Sequence, residues 1–120
     1  MEHAALILEG GALRGFFTFG VLDQLMVDNI KFEYVNGVSA GALSAQNYIS
    51  CQPKRNYYLN SHFLHDKNYI GARKLVFRDG LFNLDFAFTR NVTDYFPFDI
   101  KTYEQSKQNF EVAATDLTTG

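Results

Sequence analysis

The sequence has little cysteine, proline or net charge, and it lacks tryptophan and any long apolar run. Its one cysteine, Cys51, cannot form a disulfide within the chain, so we expect a protein of a reducing compartment, the cytoplasm. With no run of about 18 apolar residues and no basic, apolar leader, the sequence predicts neither a membrane-spanning helix nor a secretory signal. A net charge of −2 leaves no basic surface for nucleic acid.

Apolar residues and glycines are plentiful, and they are unevenly placed. The 120 residues are 47% hydrophobic, which is enough for one globular domain. Six of the nine glycines lie in the first 41 residues, whereas seven of the twelve phenylalanines lie between Phe77 and Phe110. Sharp backbone turns are therefore expected near the start of the chain.

Hydrophobic spacing predicts alternating strands and helices. The run at 4–8 is continuous and apolar, which is typical of a strand buried on both faces in a parallel sheet. Apolar steps of three and four predict a helix at 15–28, in which Gly20 is expected to pack closely against a neighbouring backbone. Further strands are predicted at 33–38 and 110–115, and further helical segments at 42–50, 54–65 and 102–107. This order predicts an α/β fold with a right-handed crossover.

A first glycine motif, Gly10-Gly11-Ala12-Leu13-Arg14-Gly15, joins the first predicted strand to the first helix. Several backbone N–H groups can converge on an anion at such a turn. Two alternatives stay open: a tight turn without a ligand, and a dinucleotide site. The dinucleotide fingerprint is the weaker of these, because it requires glycine where Ala12 stands and an acidic residue after the second strand.

A second motif, Gly37-Val38-Ser39-Ala40-Gly41, matches G-x-S-x-G at a predicted strand-to-helix turn. That turn strains the serine backbone and exposes the hydroxyl, and Gly37 and Gly41 are needed where side chains would clash. The alternative is a chance match in a glycine-bearing turn. In a parallel sheet both motifs lie at the carboxyl edge, where the first turn would supply an oxyanion hole beside Ser39 for acyl transfer.

Together these residues resemble the N-terminal part of the patatin-like phospholipases, a family of lipid acyl hydrolases, and most closely its bacterial members. The similarity covers 6–41, including the glycine turn with Arg14, GVLDQL from Gly20 and GVSAGAL from Gly37. It continues at Pro97-Phe98-Asp99 and in ATDLTTG from Ala114. The resemblance implies a three-layer αβα fold with a mostly parallel sheet, of which 1–120 would be the N-terminal part.

The resemblance also implies roles for individual residues in a Ser–Asp dyad that works without histidine. Ser39 would be the nucleophile, and the N–H groups of Gly10, Gly11 and Ala12 would form the oxyanion hole. Arg14 would orient that loop or bind anionic substrate. Ala12 replaces a glycine of many members, and we expect its N–H to remain a donor only if its φ is negative. No cofactor or metal is implied, and the substrate would be a phospholipid or other lipid ester, at a membrane surface.

The family's dyad aspartate is missing from these 120 residues. It lies in an Asp-Gly-Gly or Asp-Gly-Ala motif beyond the segment similar to TDLTTG, and this sequence ends at Gly120. Asp79 and Gly80 are followed by Leu81 and precede the third strand, so Asp79 is expected in a turn. Asp116 has no catalytic part in the family pattern. We therefore expect little activity from 1–120 alone, and self-association through an open sheet edge.

Two other functions fit parts of the sequence. The first is a catalytically silent fragment that serves as a binding or interaction module. The second is an α/β-hydrolase esterase with a Ser-His-Asp triad, for which His62 and His65 would be the candidates. Their spacing of three places both histidines on one helix face, where we expect surface or packing roles, and no third ligand for a metal accompanies them.

Overall fold

The computed structural model describes residues 1–65 and 94–120. They belong to two compact units, one formed by 1–54 with 99–120 and the other by 55–98. The predicted turn at Asp79 lies outside the described residues.

The first unit is built on a parallel sheet of three strands in the order β1-β2-β3. Its strands are β1 (Glu2–Leu8), β2 (Phe32–Gly37) and β3 (Asn109–Val112). Its helices are a 3₁₀ turn (Ala12–Arg14), α1 (Gly15–Val27), α2 (Ala40–Ile49) and α4 (Ile100–Glu104), and the second unit contains α3 (Arg55–Leu64). The predicted α/β fold with a parallel sheet is confirmed, and each predicted element within the described residues is found within a few positions of its expected bounds.

The core of the first unit lies where α1 and α2 pack on one face of the sheet. Its buried members are apolar apart from one phenol: Leu8, Leu22, Val35, Ala45, Tyr48 and Ile49. Tyr48 is 2% exposed, and its hydroxyl donates to the Ile30 carbonyl at 2.7 Å and accepts from the Phe32 N–H at 3.3 Å. These bonds pair a hydroxyl that burial removes from water. They also connect α2 to the start of β2. Burial raises the pKa of Tyr48.

Two expectations about packing are wrong. The strand at 4–8 is not buried on both faces, since Ile7 is 65% exposed and only Leu6 and Leu8 pack on the core. The reason is the alternation of side chains along a strand: Ile7 lies on the other face, beside Asn36 of β2. Gly20 does not approach a neighbouring backbone either, because a Cβ there would meet no heavy atom within 4 Å.

In the second unit, the buried Arg55 of α3 bonds to the segment before α4. Its Nε and Nη2 atoms donate to the Phe96 carbonyl at 3.1 and 2.6 Å, and its guanidinium lies 5.3 Å from the centre of the Phe98 ring. Burial lowers the pKa of Arg55. The His62 ring lies 5.0 Å from the Tyr95 ring, so this helix face is used for aromatic packing.

Candidate active site

Ser39 lies between the end of β2 and the start of α2, in a strained backbone conformation. Its φ is 51° and its ψ is −122°, in the half of backbone space that residues with a Cβ rarely adopt. The residue is exposed. The predicted strand-to-helix turn with strained angles is therefore confirmed.

The glycines on both sides of Ser39 are required by backbone contacts. A Cβ at Gly37 would lie 2.6 Å from the Cα of Ala42. A Cβ at Gly41 would overlap the Leu8 carbonyl and lie 2.7 Å from the Glu9 oxygen. The expected clash of side chains at these glycines with the neighbouring strand and helix is confirmed. Backbone of α2 therefore excludes a side chain at Gly37, and backbone at the end of β1 excludes one at Gly41.

The two glycine motifs meet at the carboxyl edge of the sheet. The Val38 N–H donates to the Leu8 carbonyl at 3.0 Å, which joins the end of β1 to the elbow. A Cβ at Gly10 would lie 3.2 Å from the Cβ of Ser39 and 3.4 Å from the Val38 oxygen. A larger residue at position 10 would therefore press on the serine, and glycine lets the loop backbone lie directly beside it.

Ala12 and Arg14 shape the rest of that loop. The φ of Ala12 is 46°, so the condition that its φ be negative is not met. Alanine adopts this left-handed conformation at a cost of about 1 kcal/mol, so the backbone keeps a glycine-like course despite the Cβ. The Arg14 N–H donates to the Gly11 carbonyl at 2.9 Å. The guanidinium of Arg14 folds over Gly11, with Nε 3.3 Å from the position of a Cβ there.

Comparison with known proteins identifies the family. A sequence model described as patatin-like phospholipase matches residues 6–116. The chain belongs to the patatin-like phospholipase family. The parallel sheet with its helices is consistent with the αβα fold of the patatin-like phospholipases.

A curated relative is similar to only part of the chain. It is the uncharacterized protein YjjU of Escherichia coli (strain K12), 46% identical over 50 residues. The alignment covers 41% of this patatin-like chain and 14% of that protein, well under two thirds of its length. No solved structure matches. No helix within 1–65 and 94–120 has the length and apolar character needed to cross a membrane.

Two titratable groups of the first unit have partners of their own. The Asp116 carboxylate accepts from the Thr118 N–H at 2.7 Å, and hydrogen bonds from Thr118 and Thr119 lower its pKa. These hydrogen bonds hold the carboxylate in its own turn. His3 pairs with Glu33 at 2.8 Å near the amino ends of β1 and β2, at the edge of the sheet opposite Ser39.

The two histidines of α3 have local contacts. His65 Nδ1 lies 2.8 Å from the Ser61 carbonyl of the same helix, and the His62 ring packs on Phe63 and Tyr95. Within the part of the chain that the structure describes, no three His, Cys, Asp or Glu residues are grouped as a metal site requires.

Proposed function

We propose that this chain carries the nucleophile and the oxyanion loop of a lipid acyl hydrolase that works through an acyl-serine intermediate. The observation that carries the proposal is the strained backbone of Ser39, with φ 51°, beside the glycine turn. The Cβ of Ser39 lies 3.2 Å from the place that a Cβ would take at Gly10. An exposed hydroxyl beside a loop of backbone N–H groups is the arrangement that acyl transfer needs.

In the proposed reaction the Ser39 oxygen attacks the ester carbonyl carbon, and the hydroxyl proton moves to the dyad aspartate. The carbonyl oxygen becomes an oxyanion, and the N–H groups of Gly10 and Gly11 donate to it, whereas the positive φ of Ala12 argues against a third donor there. Collapse of the tetrahedral intermediate breaks the ester bond, and the aspartate gives its proton to the lipid alcohol that leaves. Water then attacks the acyl-serine, releasing the carboxylic acid and restoring the serine. Every step uses only nucleophile, base and donors, so no metal or cofactor is needed.

Arg14 is proposed to hold the oxyanion loop in place. Its guanidinium covers Gly11, and its N–H closes the 3₁₀ turn on the Gly11 carbonyl. Lysine lacks the planar group that packs in this way, so Arg14→Lys and Arg14→Ala should lower kcat by similar factors. If Arg14 instead binds anionic substrate, lysine should rescue KM, because a point charge is enough for that role.

A second candidate function is a catalytically silent member of the family that binds lipid or a partner. One observation favours it: the Asp116 carboxylate, the acidic group that follows β3, accepts from the Thr118 N–H at 2.7 Å and so holds its own turn. In both cases the free, exposed Cys51 is compatible with the reducing cytoplasm, where we place the protein.

Turnover of a short-chain nitrophenyl ester and of a phospholipid separates these functions. It is measured in the longest protein that the reading frame around residues 1–120 encodes. Ser39→Ala should abolish turnover, whereas Ser44→Ala should retain it, because Ser44 is buried in α2 and its hydroxyl donates to the Ala40 carbonyl at 2.7 Å. Turnover that survives in Ser39→Ala contradicts the proposal, and folded protein without any turnover supports the silent member.

A further inference from the structure

The glycine turn that joins β1 to α1 approaches the serine elbow at both of its ends. At its start, a Cβ at Gly10 would lie 3.2 Å from the Cβ of Ser39. At its end, a Cβ at Gly15 would lie 3.9 Å from the Cβ of Ala40, the residue that follows the serine. The turn is therefore placed against the elbow at two points, and the second point is the first residue of α1.

Space, and not backbone conformation, accounts for the glycine at position 15. Its φ of −56° and ψ of −18° are helical values that any residue adopts. A Cβ there would lie 3.3 Å from Cε1 and 3.4 Å from Cζ of the Phe19 ring, which is closer than side chains ordinarily pack. The absence of a side chain at Gly15 therefore lets this ring lie directly against the first residue of α1.

Phe19 is buried and closely packed. It is 4% exposed, and its ring lies 5.2 Å from the Phe16 ring, with the two planes at 55°. A helical side chain leans toward the N-terminus of its helix and covers the residue four positions earlier, which places this ring beside Gly15. Because a close-packed ring does not shift without cost, its volume fixes the position of the start of α1.

We propose that Phe19 is a positioning residue for the reaction, because its ring determines how closely the glycine turn lies beside Ser39. This role rests on the proposed function, in which Ser39 is the nucleophile and the turn supplies the oxyanion donors. Without the Cε1 and Cζ atoms of the ring, the start of α1 moves into the space beside Gly15, and the turn moves with it. A misplacement of about 1 Å in a catalytic arrangement lowers the rate by up to about a hundredfold.

The rate at which a fluorophosphonate labels Ser39 tests this role. It is measured in the longest protein that the reading frame around residues 1–120 encodes, at a temperature well below the Tm of every variant. Phe19→Leu removes Cε1 and Cζ and should lower the labelling rate about tenfold. The matched control is Leu22→Ala, because Leu22 is 1% exposed, lies on the same helix and belongs to the core of the first unit. This control should lower the Tm at least as much as Phe19→Leu does and leave the labelling rate unchanged.

A double-mutant cycle tests the contact between the ring and the glycine. Gly15→Ala alone should lower both the Tm and the labelling rate, because its Cβ presses on Cε1 and Cζ of Phe19. In the double variant Gly15→Ala/Phe19→Leu, the new methyl group occupies the space that these two ring atoms leave. The Tm and the labelling rate of the double variant should therefore exceed the values expected if the two single effects were independent.

Three results would overturn the positioning role of Phe19. They are a labelling rate in Phe19→Leu equal to that of the unchanged protein, an equal fall in the rate of Leu22→Ala, and independent effects in the double-mutant cycle. In each of these cases Ser39 is still labelled in the unchanged protein, so the proposed function stands. If the unchanged protein is not labelled on Ser39, the proposed function fails and the positioning role fails with it.

Discussion

Replacing Gly41 by alanine tests whether the elbow is built as described. The new Cβ would overlap the Leu8 carbonyl and lie 2.7 Å from the Glu9 oxygen. Both obstacles are backbone atoms at the end of β1, so neither can rotate away as a flexible side chain would. Overpacking of this kind costs about 3 kcal/mol of unfolding free energy. Gly20→Ala is the matched control, because its Cβ meets nothing within 4 Å. It should stabilise α1 by about 1 kcal/mol, the difference in helix propensity.

Thermal and urea unfolding of the two variants, followed by circular dichroism, measures the difference between their unfolding free energies. The expected gap of about 4 kcal/mol corresponds to a difference in Tm of more than about 10 °C, with Gly41→Ala lower and Gly20→Ala higher than the unchanged chain. A Gly41→Ala protein without a folded baseline agrees with the expectation. Equal stabilities, or a destabilised Gly20→Ala, would refute the contact geometry from which both values are worked.

Three further predictions concern strain, a buried phenol and the histidines. Ala12→Gly should raise the unfolding free energy by about 1 kcal/mol in a urea titration, because it relieves the strain of φ 46°. Turnover should be kept, and a loss of stability would argue against that conformation. Tyr48→Phe should cost about 1 to 3 kcal/mol, since the Ile30 carbonyl loses its donor. Burial raises the pKa of Tyr48 in the folded protein. The stability that the protonated phenol contributes is therefore complete below its unfolded pKa and is lost as pH rises through its folded pKa. Between about pH 7 and 11 the unfolding free energy should fall less steeply in Tyr48→Phe than in the unchanged chain. His62→Ala and His65→Ala should retain most ester turnover in the longest encoded protein, and its loss in a folded variant would favour a triad.

The sequence predicted the order of elements and the elbow because both depend on local patterns. The period of three and four places α1 at Gly15–Val27, and glycines on both sides of Ser39 indicate a turn that no other residue permits. Positive φ at Ser39 follows from that turn. Such features depend on residues that are close in sequence, so a local sequence pattern can predict them.

Expectations that failed depend on tertiary neighbours. A continuous apolar run does not show which faces of β1 are covered, and Ile7 is exposed because it lies on the face opposite Leu6 and Leu8, which pack on the core. A Cβ at position 20 would meet no heavy atom within 4 Å, so the glycine there does not indicate a closely packed backbone. Ala12 adopts a left-handed conformation that its residue type disfavours.

Covalent labelling of the nucleophile is the most direct test of the proposed function. The longest protein that the reading frame around residues 1–120 encodes is treated with a fluorophosphonate, which modifies activated serines, and the adduct is located by peptide mass spectrometry. We predict a single adduct on Ser39, absent in Ser39→Ala and unchanged in Ser44→Ala. An adduct on another residue, or labelling that persists in Ser39→Ala, would contradict the assignment of Ser39 as the nucleophile.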